Sequence, residues 1–170
     1  MDHDPILTQQ KAKRLAARMI LLALLALIMT PVQAQPLTTH TVSGDHEQNL
    51  GPALHWFPET GDQLDAETVA ANLKRHDWRG NDADVLNLGL DAKPIWLGLR
   101  LESRGDVRRY LSIDYPPLDD VRFHVFRNGR LVERAVTGDT LPFDSRPLPY
   151  HHFVLPLELA PEASSLVLIR

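Results

Sequence analysis

Residues 110–138, YLSIDYPPLDDVRFHVFRNGRLVERAVTG, decide the fold class. Leu111, Ile113 and Tyr115 alternate with Ser112 and Asp114, the two-residue period of a half-buried strand. Pro116 and Pro117 have no N–H to offer a ladder, so that strand stops before them. Val121, Phe123 and Val125 then alternate with Arg122 and His124, and a third strand returns from Leu131 to Val136. Asn128-Gly129 lies between these two, the dipeptide a type I′ hairpin turn favours because both central residues need positive φ. The stretch predicts a β-meander, punctuated at its end by Gly138-Asp139.

The same pattern extends outward. Ile95, Leu97, Leu99 and Leu101 share one face of a strand, opposite Trp96, Gly98 and Arg100, and Gly105-Asp106 turns the chain into the meander. Downstream, Pro142, Pro147 and Pro149 fix an extended loop. Phe153, Leu155, Leu157 and Leu159 then line one face of a strand whose Pro156 suggests an edge or a bulge. Leu166 to Ile169 starts another strand that reaches Arg170 in mid-pattern, as expected of a fragment of a longer chain. Upstream, Asp65 caps a helix with Glu67 in its first turn and Val69 and Leu73 on one face, ending near Arg75 to Asp77. Trp78 to Asp84 reads as a loop, Val85 to Gly89 as a short strand, and Leu54 to Phe57 as another ended by Pro58. Residues 35–49 form a polar leader that becomes an edge strand or stays loose, and residues 50–170 form one domain with one core. Short, regularly spaced strands, one short helix and Pro/Gly-rich turns predict an all-β, jelly-roll-like β-sandwich.

Residues 1–34 read as a signal peptide. Lys11, Lys13, Arg14 and Arg18 precede the apolar run Met19 to Met29, and Val32-Gln33-Ala34 resembles a cleavage site. The run is short of the ~20 apolar residues that a membrane span needs. Setting this segment aside removes four of 18 basic and two of 22 acidic residues and leaves a net charge of −6. An acidic domain without basic clusters is a poor partner for nucleic acid or anionic lipid. With no cysteine in the chain, disulfides and thiolate metal sites are excluded.

Chemistry-bearing patterns are sparse. His151 and His152, as strand neighbours, would point to opposite faces, so no metal or cofactor site is expected. Asp119-Asp120 after two prolines reads as a turn former, and neither a nucleophile elbow nor a phosphate-cradling glycine loop is present. The candidates for ligand binding are Trp96, His124, Arg146 and Tyr150. Exposed aromatics stack on sugars or rings, and guanidinium binds carboxylate bidentately. The competing readings are that Trp96 packs under the helix around Val69 and Leu73, and that Arg146 ties its own loop to the strands. His124 occupies an outward strand position.

Several stretches in succession carry a family resemblance: Trp96-Leu97-Gly98-Leu99, Tyr115 to Val121, Thr137 to Phe143, Arg146 to Tyr150 and Phe153 to Leu157. From about Leu50 to Arg170 the chain resembles the second class of extracellular domain of bacterial seven-transmembrane receptors with diverse intracellular signalling modules. The resemblance implies a periplasmic β-sandwich related to carbohydrate-binding modules. Such a domain is a non-catalytic sensor of a carbohydrate or other small polar ligand at the inner membrane, followed by a seven-helix membrane region and a diguanylate cyclase or histidine kinase output. Its partners would be that ligand, the receptor's own membrane region and, in a homodimer, a second copy. The alternative is a structural, protein-interaction or dimerisation module of the same kind of receptor. A free exported binding protein and a hydrolase rank below these. Gly98 stands where the family usually has arginine after Trp-Leu.

Overall fold

The computed structural model describes residues 37–44, 46–89, 93–105, 107–161 and 163–170. The segment read as a signal peptide lies outside the described residues. In chain order the elements are β1 (Thr39–Val42), β2 (His55–Pro58), α1 (Ala66–Ala71), β3 (Arg79–Gly80), β4 (Ile95–Ser103), β5 (Val107–Ile113), β6 (Val121–Arg127), β7 (Arg130–Thr137), β8 (Phe153–Leu159) and β9 (Ser165–Ile169). The expected all-β class is what the chain adopts. Among the described residues no helix is long and apolar enough to cross a membrane.

The hairpin forms as its turn residues dictate. Asn128 and Gly129 sit at φ of 50° and 74°, and β6 and β7 pair antiparallel around them. The register shifts at Val125/Phe126, so that Val125 pairs with Glu133 and Phe126 with Leu131. This bulge leaves Val132 without a partner in the ladder and sets the facing of everything beyond it.

The meander is corrected at its first strand. Instead of lying beside β6, β5 pairs with β8 in a separate two-stranded sheet. Sequential strands stay neighbours when a two-residue turn joins them, whereas residues 114–120, with a turn at Pro116-Pro117, make a longer connection here. The place beside β6 goes to β9, whose five residues are all buried. A strand that is apolar on both faces belongs in a sheet centre covered on both sides. The large sheet runs β3-β2-β4-β9-β6-β7, with β1 along the far half of β4. The polar leader thus supplies an edge strand, parallel to β4, through Thr39 to Val42. Pro156 is tolerated because, among the described residues, β8 pairs with β5 alone and its other edge carries no ladder.

Between the sheets lies the sandwich core, built from the inward positions of β4, β5, β6, β8 and β9. Leu99, Leu101, Phe123, Val125, Phe153, Leu155, Leu157 and Val167 are all buried in it. The expectation of one core is corrected as well. A second apolar cluster covers the outer face of the large sheet, where α1 packs Ala66 and Val69 onto Phe57, Trp78, Trp96, Phe126 and Leu168. Full burial of a side chain such as Val69 contributes about 1.5–3 kcal/mol, enough to dock a helix too short to stand alone. Asp65 caps it as expected, its carboxylate accepting from the Thr68 N–H at 2.6 Å and the Thr68 hydroxyl at 2.8 Å. Asp65→Ala is expected to lower the urea denaturation midpoint. An unchanged midpoint would deny the cap any role.

Two further details differ from expectation. Val85 to Gly89 forms no strand. Gly89 sits at φ 71°, the Asn87 side chain accepts its N–H at 3.0 Å, and Val85 is 74 % exposed. Turn chemistry at Asn87-Gly89 outweighs the alternation there. Gly98 is explained by its neighbour: a Cβ at this position would stand 2.7 Å from the Trp78 ring. The indole lies where a larger residue would put its side chain, so glycine at 98 and tryptophan at 78 go together.

A charged cleft between the helix and the outer sheet face

Outward positions of adjacent strands form rows across a sheet. On the outer face one row holds Gly98, Leu168, His124 and Arg134, through the pairings Gly98↔Leu168, His124↔Leu168 and His124↔Arg134. Beside it, Arg170 follows β9 and exchanges both backbone hydrogen bonds with Arg122, at 2.9 and 3.0 Å. The start of α1 overhangs these rows and leaves a cleft of about 320 Å³. Gln63, Leu64, Asp65, Ala66 and Glu67 form one wall, and Trp96, Arg122, His124, Arg134 and Arg170 the other. A second depression of about 340 Å³, of mixed polar and apolar lining, lies along the later part of α1 beside Phe126, Leu131 and Leu166.

Most charges around the cleft are committed internally. Arg170 donates to Glu59 at 2.9 and 2.5 Å. Glu59 also accepts from the Leu64 N–H at 2.7 Å and from Trp96 Nε1 at 3.3 Å. Burial alone would push the Glu59 carboxyl up, but the hydrogen bonds from Arg170, Leu64 and Trp96 and the Arg170 charge outweigh it and hold it below its ordinary range. Arg122 grips Asp120 at 2.7 and 2.9 Å. The Asp65 carboxylate is occupied by Thr68. That leaves Glu67 and Arg134, whose side chains form no hydrogen bond or ion pair among the described residues.

His124 lies between those two. It is 6 % exposed, and its buried Nδ1 has no hydrogen-bond partner. Burial first, then the Arg134 charge, lowers its pKa below the ordinary 6.5, while Glu67 and the backbone of Leu168 and Arg122 pull the other way. The imidazole is therefore neutral at pH 7. Its expected outward position is right as to face, but the second core covers it.

The four candidates from the sequence fall into two pairs. Trp96 and His124 meet in the cleft wall with ring centroids 6.1 Å apart. Trp96 also packs in the cluster beneath α1, with Val69 and Leu73, as its alternative reading has it. Arg146 and Tyr150 belong to the loop before β8. Arg146 donates to the Tyr150 and His151 carbonyls, each at 2.7 Å, and lies over the Phe143 and Phe153 rings at 5.0 and 4.8 Å. Both hydrogen bonds stay within the loop, and only the contact with the Phe153 ring reaches a strand. Tyr150 lies tilted against His151, with ring centroids 4.1 Å apart, and stays half exposed. His151 and His152 lie in a bend rather than a strand, so their rings come within 4.0 Å instead of pointing apart. His152 pairs with Asp114 at 2.7 Å, and no group of three metal-ligating side chains occurs among the described residues.

Sequence reasoning missed Glu67, Arg122, Arg134 and Arg170 as members of one site. They come from α1, β6, β7 and the end of β9, and nothing local in the sequence joins those four elements. Half of the signal was available: Arg122 and His124 are two apart on one strand face.

Residues 51–170 match the family model described as 7TMR-DISM extracellular 2. No curated protein matches the chain.

Proposed function

The chain belongs to the 7TMR-DISM extracellular 2 family, extracellular domains of seven-transmembrane receptors, and from that premise we propose that it is the non-catalytic, periplasmic ligand-sensing input of a bacterial signalling receptor. In this reading a small polar ligand enters the cleft under α1, with Trp96 and His124 in its wall. A seven-helix membrane region and a diguanylate cyclase or histidine kinase carry the response onward. The observation that supports it is the buried, unpartnered Nδ1 of His124 in a cleft whose walls come from separate elements. A buried polar atom without a partner costs about 1–3 kcal/mol, and a bound group can recover that.

Sensing requires that the ligand bind one state of the receptor better than another. The element suited to differ between states is α1, a six-residue helix seated on the sheet by a few side chains. Glu59 links it to β9, since one carboxylate holds both the Leu64 N–H before the helix and Arg170 after the strand. A ligand that spans the two walls would favour the seated arrangement.

Calorimetric titration of the protein against sugars, amino acids and organic acids tests this, with amide exchange across α1 as the second readout. A hit is expected to slow exchange in α1 and to weaken about tenfold or more in His124→Phe. A hit that leaves α1 and His124→Phe unaffected, and is lost in Tyr150→Ala, would move the site to the loop before β8. That loop supports the second reading, an interaction module, because Phe143 and Tyr150 are 56 % and 50 % exposed on either side of Arg146. Concentration-dependent sedimentation abolished by Phe143→Ser would favour it.

A further inference from the structure

Resting on the reading of this cleft as the ligand site, we propose that its occupant is a small zwitterion, an amino-acid-like molecule whose carboxylate pairs with Arg134 and whose cationic nitrogen pairs with Glu67. The argument is one of charges left over. Three guanidinium groups line the cleft, which on a first count favours an anion. Two of them are already neutralised at hydrogen-bonding distance, Arg122 by Asp120 and Arg170 by Glu59. Of the two lining carboxylates, Asp65 is spent on the helix cap. One charge of each sign remains, Arg134 on β7 and Glu67 on α1, on opposite walls and forming no ion pair with each other among the described residues.

Each simpler ligand leaves one of these charges opposed or bare. An anion on Arg134 would face the Glu67 carboxylate. A cation on Glu67 would face the guanidinium. A neutral sugar would cover both charges and pair neither, which is costly wherever water is excluded. A zwitterion answers both at once, and its two ends lie a few bonds apart, a scale suited to a cleft at the small end of ligand sites.

His124 supplies the independent observation. It sits in the row with Arg134, is nearly fully buried, and has an Nδ1 without a well-formed hydrogen bond among the described residues, while the Leu168 and Arg122 backbone acts on the ring. Being neutral, it adds no net charge and offers a hydrogen bond to whichever ligand group reaches it. Half-buried Leu64 adds apolar surface for a carbon skeleton, backed by the buried Ala66 and Trp96.

The test is a charge-blocking series measured by calorimetry on the protein. The probes are the free amino acids and glycine betaine, each hit then compared with its N-acetyl form (anion), its amide (cation) and glucose (neutral). At least one zwitterion is expected to bind, with both blocked forms weaker by about tenfold or more. Glu67→Gln and Arg134→Gln, both at surface positions, are expected to cost about tenfold each, and the exchange Glu67→Arg with Arg134→Glu to recover part of the loss. An N-acetyl form that binds as well as its parent, with Glu67→Gln silent, overturns the zwitterion and keeps the cleft. So does glucose binding alone, lost in His124→Phe. Binding by no probe, with unchanged His124 and Trp96 resonances at millimolar concentrations, overturns the zwitterion and the cleft reading together.

Discussion

Trp96→Ala is expected to remove about 3–5 kcal/mol of folding stability, the largest effect of any single change near the cleft. The indole is 1 % exposed and fills the space between α1 and the sheet, with Phe57 stacked 6.5 Å away and His124 beside it. Truncation opens a cavity beneath a six-residue helix that has little else to hold it. It also takes the Nε1–H from a buried carboxylate that accepts it. Urea denaturation followed by the remaining tryptophans measures the loss. Trp96→Phe keeps most of the ring volume and is expected to cost much less. A Trp96→Ala midpoint close to the parent's would mean that the second core is not a core. Loss of ligand response in Trp96→Ala therefore reports loss of the fold before loss of a contact.

Glu59→Ala is expected to cost about 3 kcal/mol or more, because it strands Arg170. The Arg170 side chain is 13 % exposed and holds its partner through two hydrogen bonds. Without the carboxylate, a nearly buried guanidinium, the Leu64 N–H and Trp96 Nε1 all lose an acceptor at once. The double change Glu59→Leu with Arg170→Met, which removes both charges, is expected to be less damaging than Glu59→Ala alone. The pH dependence follows from the depressed carboxyl. A Glu whose folded pKa lies below its unfolded value of about 4.5 contributes stability that is fully present above that value and is lost as pH falls through the lower folded value. The parent should therefore lose stability on the acid side of about pH 4.5 more steeply than Glu59→Gln. Parallel acid limbs would show that Glu59 is not held ionised by the fold.

What was legible in the sequence was what is local. The period-two pattern gave the inward faces of β4, β6 and β8, and Asn128-Gly129 gave the hairpin, because turn dihedrals and side-chain alternation are set within a few residues. Asp65 was legible as a cap for the same reason. Neighbour relations between sheets were not. Nothing in Leu111 or Ile113 distinguishes pairing with β6 from pairing with β8, and the outcome was decided by β9, the strand buried on both faces.

The site was hidden by two such effects. Trp96 on β4 could be read as packing under the helix, but the outward His124 on β6 read as solvent-facing, because a helix's docking face does not specify which strands of a sheet surface receive it. The bulge at Val132 is the second. A regular two-residue hairpin would place Glu133 opposite His124, and the shifted register places Arg134 there instead. One extra residue thus reverses the sign of the charge facing the buried imidazole.

The most direct test of the cleft is the indole N–H region of the proton–nitrogen correlation spectrum. The chain has three tryptophans, Trp56, Trp78 and Trp96, hence three reporters. Trp96 lines the cleft and its Nε1–H points to Glu59 behind the wall, whereas Trp78 Nε1–H is hydrogen-bonded to the Leu73 carbonyl under the helix. Saturation with a binding ligand is expected to move the Trp96 signal and leave Trp56 in place. A ligand that binds with the Trp96 signal unmoved, and shifts Tyr150, His151 and Arg146 instead, would contradict the account.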